Sequence, residues 1–301
     1  MSRQSRFSAG AYLRLIRPEQ WVKNLFVAIP LFFSGHFHDQ ALVTRVVIAT
    51  AAFCLLSSAV YVFNDLRDLE DDRAHAKKRM RPLPSGAVSV VGAGLLCLGL
   101  LAAALILSIA WALPVSLLVA GALYLLINVS YSLGLKHIPL LELFMVASGF
   151  VIRLVAGSFV VGETLSSWIM VCTALVSLML VVGKRRGDIA QGIDPQTRRK
   201  SLLHYTVPYL DQLMTLLASA TVVTYLLFCI SDYAKTRFGG DVSLTCVFVL
   251  FGVFRFLQIV SVGGGGDSPT TMVIKDRQLR YTILLWLALF YLLIRFNAGG
   301  Q

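Results

Sequence analysis

Three observations predict an all-α fold for this chain, a polytopic membrane bundle. Of its 301 residues 57% are apolar and only 14% carry charge, and the mean hydropathy is +0.74. A soluble domain of this length does not carry that balance. Several uncharged runs reach the roughly 20 residues that a helix needs to cross a bilayer. The lysines and arginines gather in alternate connecting segments, which is the charge bias of a multispanning protein.

Val46 to Phe63, Thr164 to Gly183 and Gln212 to Ser231 are apolar runs of spanning length. Ala87 to Leu135 holds no charge at all and is too long for one crossing, so Pro114 divides it into two helices joined by a tight turn. With weaker candidates added, nine transmembrane helices are predicted, at 22–37, 46–63, 87–108, 113–133, 139–158, 164–183, 212–231, 242–261 and 280–297. The first is short and the fifth contains Glu142 and Arg153. Residues 8–20 read as an interfacial helix, and the start of the chain lacks the long apolar stretch and small-residue cleavage site of a removable signal peptide. One integral membrane domain is expected over residues 1–301.

The net charge of +11 raises nucleic acid as a partner, but its distribution fits topology instead. With the N-terminus inside, the inner segments hold Arg14, Arg17 and Lys23, then Arg67 to Arg81, Lys136, Lys184 to Lys200, and Lys275 to Arg280. The outer segments hold only Arg45, Lys235, Arg237 and Arg295. The N-terminus should lie in the cytoplasm and the C-terminus outside. The five cysteines (Cys54, Cys97, Cys172, Cys229 and Cys246) sit in apolar spans without paired spacing, as small packing residues rather than disulfides or metal ligands.

Chemistry is concentrated at the inner end of the second span, in Asn64-Asp65-Leu66-Arg67-Asp68-Leu69-Glu70-Asp71-Asp72. On a continuous helix Asp65, Asp68 and Asp72 would share a stripe about 60° wide. Three like charges there repel, and a divalent cation would relieve them. Hard oxygen ligands favour Mg²⁺, which uses one or two carboxylates together with substrate phosphate oxygens. The basic run Arg73, Lys77, Lys78, Arg79, Arg81 follows at once and could hold those phosphates. Acids and bases pairing with one another on a solvated loop is the structural alternative.

Asn64 to Asp72 resembles the NDxxDxxxD motif of the UbiA-type prenyltransferase superfamily, and Arg81-Pro82-Leu83-Pro84-Ser85-Gly86 resembles its RPLPSG continuation. Arg17-Pro18-Glu19-Gln20-Trp21-Val22-Lys23-Asn24 is similar to the RPxQWxKN block of the branch that includes decaprenyl-phosphate phosphoribosyltransferase. Tyr131 to Lys136 resembles its YSxxLK loop, and Arg199, Leu202 and Tyr205 fit an RxxLxxY pattern. The resemblance implies a UbiA-type bundle in the plasma membrane with a cytoplasmic active site. It implies metal ligation and catalysis by Asp65, Asp68 and Asp72. It also implies substrate binding by Lys23, Asn24, Asn64, Arg73, Lys77, Arg81, Tyr131, Lys136, Lys184, Arg185, Arg186, Arg199 and Tyr205, with Glu142 in a supporting role where the branch often has Asp.

One departure bears on the substrate. Relatives with aromatic acceptors carry a second aspartate-rich motif between spans six and seven. Here that loop has only Asp188 and Asp194, on different helix faces, amid Lys184, Arg185, Arg186, Arg198, Arg199 and Lys200. Two phosphorylated substrates would use that charge, and the branch implies 5-phosphoribosyl 1-diphosphate as donor and polyprenyl phosphate as acceptor. The rivals are prenyl transfer to a small aromatic acceptor and, from another class, an anion transporter, which would need repeated broken helices with midplane charges. Within the spans only Arg153 and Arg255 are such charges, and each should face the bundle interior with a partner. His36 and His38 read as incidental polarity of an outer turn, and Gly263 to Gly266 lacks the strand, helix and Lys-Ser/Thr context of a phosphate loop. Nothing in the sequence decides between a monomer and a homo-oligomer.

Overall fold

The computed structural model describes residues 9–75, 78–191, 200–262, 271–272 and 275–298, and among these there is no strand. Helix α1 (Ala9–Ile16) is followed by a 3₁₀ segment (Pro18–Ala28), α2 (Ile29–Ser34), α3 (Gln40–Arg67) and α4 (Leu69–Ala74). Then come α5 (Val90–Ala110), α6 (Val115–Leu133), α7 (Leu141–Val161), α8 (Ser167–Ala190), α9 (Val207–Ile230), α10 (Asp232–Phe238), α11 (Cys246–Val262) and α12 (Arg277–Ala298). Side chains near the boundaries explain several of them. Asp39 accepts a hydrogen bond from Leu42 N (2.9 Å), Ser89 from Gly92 N (3.0 Å) and Thr206 from Tyr209 N (3.3 Å), capping α3, α5 and α9. Pro114 precedes α6 in extended conformation, and Gly162 closes α7 at φ 80°.

Eight of these helices, α3, α5 to α9, α11 and α12, without the short α10, are long and apolar enough to cross a membrane. The ninth expected crossing, 22–37, is built differently. It falls on the second half of the 3₁₀ segment and on α2; only when counted from Pro18 do the eleven 3₁₀ residues and the six of α2, rising about 22 Å and about 9 Å, match a hydrocarbon core of about 30 Å. It runs antiparallel to α3. Arg17 at its start pairs with Asp65 near the end of α3, and His36 beyond its end lies 3.4 Å from Glu163, just past α7.

Helix α3 is the hub, packed against α5, α6, α7 and the 3₁₀ segment. One apolar core gathers Val27, Phe53, Tyr124 and Ile152 around it; another gathers Leu143, Met179, Met214 and Phe256 from α7, α8, α9 and α11. Helix α7 serves both and so forms the wall between them. The 3₁₀ segment lies tight against α7: a β-carbon on Gly157 would sit 2.0 Å from the Val27 carbonyl oxygen. At the aspartate end α1 buries Ala11 and Leu15 against Val62, Leu83 and Leu100; the helix expected over 8–20 stops at Ile16, where Arg17 turns at φ 51° into the 3₁₀ segment. The five cysteines are all free. Arg255 finds its partner in Asp276, whose carboxylate its guanidinium meets at 2.6 Å. That hydrogen bonding holds Asp276 below the usual carboxylate range.

Candidate active site

The aspartates do not form the continuous stripe expected. Helix α3 stops at Arg67, Asp68 leaves the helical region (φ −91°, ψ 10°), and α4 restarts at Leu69. This break separates the three carboxylates. Asp65 and Asp72 are both buried and converge on one guanidinium, with Arg81 Nη1 2.6 Å from Asp72 Oδ2 and 3.5 Å from Asp65 Oδ1. Arg17 also donates to Asp65, and Lys78 Nζ lies 3.6 Å from Asp72. Asp68 turns the other way, onto Lys136 and the Asn64 amide (3.0 Å), and Asn64 in turn accepts from Ser132 (3.1 Å). Among the described residues no three carboxylates or other ligands cluster closely enough to hold a metal. Asp65 and Asp72 are therefore the pair that fits Mg²⁺, which needs only one or two carboxylates when phosphate oxygens complete its shell.

Beside this rim lies a cavity of about 280 Å³, walled by the 3₁₀ segment, α3, α6, α7 and α8. All five charged side chains in its lining are cations: Arg17, Lys23, Arg153, Lys184 and Arg185. No carboxylate faces it among the described residues, while Gln20, Asn64, Asn128 and Tyr131 add neutral polar groups. A hydrophobic groove of about 410 Å³ adjoins it, lined by Val22, Phe26, Met179, Phe248, Phe256 and Trp286. The two share Lys23, Phe150 and Leu180. An anionic head and a long hydrocarbon tail would find both environments side by side.

Helix α8 supplies Lys184 and Arg185 to this lining, while the next residue, Arg186, is held differently. Arg185 is buried and bound by both oxygens of Glu142, Nη2 to Oε2 at 2.6 Å and Nε to Oε1 at 2.9 Å. It also donates to Asp188 (3.3 Å) and to the Tyr131 hydroxyl (3.4 Å). Glu142 is thus the counter-ion that fixes Arg185 at the cavity wall, a supporting role. Arg186, one residue and about 100° further round the helix, points away. It donates to Asp211 (3.0 Å) and the Val260 carbonyl (2.9 Å), linking α8 to α9 and α11. The expected substrate contact by Arg186 gives way to this structural one.

Other expected residues divide in the same way. Lys23, Asn64 and Tyr131 line the cavity. Asn24 is buried and does not: it accepts from Arg153 Nε (2.6 Å) and donates to Ser57 (3.1 Å). Arg73 pairs on the surface with Glu70 (2.8 Å). The Tyr205 hydroxyl accepts from Leu140 N (2.6 Å), bracing a residue at φ 63° before α7. Lys77 and Arg199 lie outside the described residues. Arg17, Gln20, Asn128 and Arg153 join the site beyond the expected set. Arg17 and Gln20 could have been found in the same RPxQW block that yielded Lys23. Arg153 is buried as a charge in a span should be, donating also to the Gly149 carbonyl (2.8 Å) and Tyr124 hydroxyl (2.9 Å) with the Tyr124 ring 4.7 Å away. His36 and His38 meet Glu163 and Arg295 at the far end of the bundle.

Known proteins resemble this chain in sequence and in fold. The chain is 37% identical over 286 residues to decaprenyl-phosphate phosphoribosyltransferase of Mycolicibacterium smegmatis, covering 91% of this chain and 89% of that protein. It is 34% identical to the enzyme of the same name from Corynebacterium glutamicum (92% and 85% covered) and 33% identical to that of Mycobacterium tuberculosis (92% and 91%). The fold matches a UbiA homolog from Archaeoglobus fulgidus bound to GPP and Mg²⁺ with a TM-score of 0.71 at 20% identity, covering 95% of this chain and 99% of that one. Digeranylgeranylglyceryl phosphate synthase gives 0.64 at 17% identity (95% and 98%). The UbiA prenyltransferase family model matches residues 24–263, and the chain belongs to that family.

Proposed function

We propose that this membrane-bound transferase moves 5-phosphoribose from 5-phosphoribosyl 1-diphosphate to a polyprenyl phosphate, releasing diphosphate, with Mg²⁺ held by Asp65 and Asp72. The observation that carries the reading is the cavity whose charged lining is wholly cationic. An aromatic acceptor brings no negative charge to a lining whose five charged side chains are all cations, whereas two phosphorylated substrates bring phosphate oxygens that such cations bind. The relatives named as decaprenyl-phosphate phosphoribosyltransferases support transfer of a phosphoribosyl group to a polyprenyl phosphate. The hydrophobic groove beside the cavity suits an isoprenoid chain.

In this reading Arg17, Lys23, Lys184 and Arg185 orient the phosphates. The acceptor phosphate is a ready nucleophile, because a monoester loses its second proton at about pH 6. Its oxygen bonds to the anomeric carbon as the bond to diphosphate breaks and the diphosphate leaves with the electron pair. No side chain need take a proton. Bound Mg²⁺ supplies charge to the departing diphosphate. Asp68, engaged by Lys136 and Asn64, is a positioning residue that fixes the break between α3 and α4 and so brings Asp72 back towards Asp65. The site lies at the end of the bundle that the lysine and arginine bias of the connecting segments assigns to the cytoplasmic side.

Calorimetric titration of the purified protein with phosphoribosyl diphosphate tests the reading. Binding should appear with Mg²⁺ and weaken at least about tenfold with a chelator, the loss of one charge-assisted contact. A protein that binds prenyl diphosphate with Mg²⁺ and ignores phosphoribosyl diphosphate would overturn the choice of donor.

A further inference from the structure

A second apolar recess lies on the other side of α3. Helices α5 and α6 are joined by only four residues, Trp111 to Pro114, yet they hardly touch one another; each packs on α3 instead. Between them α3 forms the floor of a cleft of about 300 Å³, where Phe53 is buried and Leu56 only partly so, and Leu101, Leu105, Leu118 and Leu125 line the walls. Short helix connections ordinarily join helices that pack as antiparallel neighbours, so this separation leaves space that hydrocarbon must fill.

The size of the cleft decides what fills it. A helix is about 10 Å across with its side chains, and three turns of one would need on the order of 1000 Å³, well beyond this volume. A single hydrocarbon chain is slim enough. Arg45 lies on the same face of α3 as Ala52 and Leu56, seven and eleven residues before them. By helical rise it stands about 16 Å from Leu56, half the thickness of the hydrocarbon core. That is the reach of one acyl chain of one leaflet. The Arg45 guanidinium contacts the Ala112 carbonyl (3.4 Å) beside the half-exposed Trp111 and makes no ion pair among the described residues. A cation and an indole at this level are interfacial anchors.

We propose that the cleft between α5 and α6 binds one acyl chain of an anionic phospholipid whose phosphate rests on Arg45, at the end of the bundle opposite the aspartates. The site is separate from the cationic cavity and its neighbouring groove, from which α3 divides it. Arg45 supplies a charge-assisted hydrogen bond to a phosphodiester, and Trp111 covers the glycerol region.

Native mass spectrometry tests this with the full-length protein in mild detergent, equilibrated with equal amounts of phosphatidylglycerol and phosphatidylethanolamine. The wild type should retain one phosphatidylglycerol through detergent exchange. Arg45→Gln, a change at a partly exposed side chain, should lower that retention about tenfold and erase the preference over phosphatidylethanolamine. Ala122→Phe, which fills the cleft from its exposed wall, should abolish retention with the preparation still monodisperse. Equal retention of both lipids by wild type and Arg45→Gln would overturn the proposal. So would cysteine cross-linking between cleft positions of two copies, which would assign the cleft to a second chain.

Discussion

At the scale of single residues, function turns on which charges the fold aims inward. Asp65 and Asp72 are almost inaccessible and each neutralises arginine, so they hold the structure as well as the proposed Mg²⁺. Asp65→Asn and Asp72→Asn should lower turnover at least about 100-fold, the scale of losing transition-state charge stabilisation. They should also lower the melting temperature, since Arg81 and Arg17 lose a buried partner. Steady-state turnover beside thermal unfolding checks both effects; variants with full activity would show that these carboxylates only pair with arginine. A second contrast separates neighbours on α8. Lys184→Ala should raise KM for the donor about 10- to 150-fold, the range of one charge-assisted hydrogen bond. Arg186→Ala should leave that KM near wild type and reduce stability, because Arg186 ties α8 to Asp211 and Val260. Equal KM effects would mean that both reach substrate.

At the scale of elements, the sequence showed where the long helices lie but not how the first crossing is made. Apolar runs mark α5 and α7 to within three residues and α3 and α9 to within six, because bilayer thickness imposes their length. The 22–37 stretch looks like one short span; Pro18 and Pro30 at the starts of its two segments, and the grip of Arg17 and Asn24 on neighbouring helices, make it a 3₁₀ segment followed by α2. The motif residues were legible for a similar reason: carboxylates and cations at a span end need a use. Their orientation was not, because spanning helices are apolar all round and hydropathy does not mark the inward face. Hence the sequence places Arg186 and Asn24 at the substrate and carries no mark of the turn at Asp68. Close packing yields its own test. Gly157→Ala would drive a methyl into the Val27 carbonyl and should cost about 1–3 kcal/mol as overpacking. Activity should fall with it, since the displaced segment carries Lys23. Unchanged unfolding and activity would mean that α7 and the 3₁₀ segment separate freely.

At the scale of the whole molecule, α3 and α7 divide a bundle whose two ends differ in chemistry. One end holds the carboxylates, the cationic cavity and α1; at the other, Arg295 of α12 meets His38 and Asn297 donates to the Thr236 carbonyl (3.3 Å). The two termini should therefore lie on opposite sides of the membrane, with the N-terminus cytoplasmic. Reporter fusions at each end decide this, and a cytoplasmic C-terminal reporter would contradict the nine-crossing arrangement. The central claim is tested most directly by giving the purified protein, with Mg²⁺, both substrate pairs at once and identifying the lipid product by mass. One pair is phosphoribosyl diphosphate with polyprenyl phosphate; the other is a prenyl diphosphate with an aromatic acid. A polyprenyl phosphate that has gained one phosphoribosyl group, absent without Mg²⁺ and absent from Asp65→Asn, is the expected product. A prenylated aromatic acid, with the polyprenyl phosphate unchanged, would contradict the account.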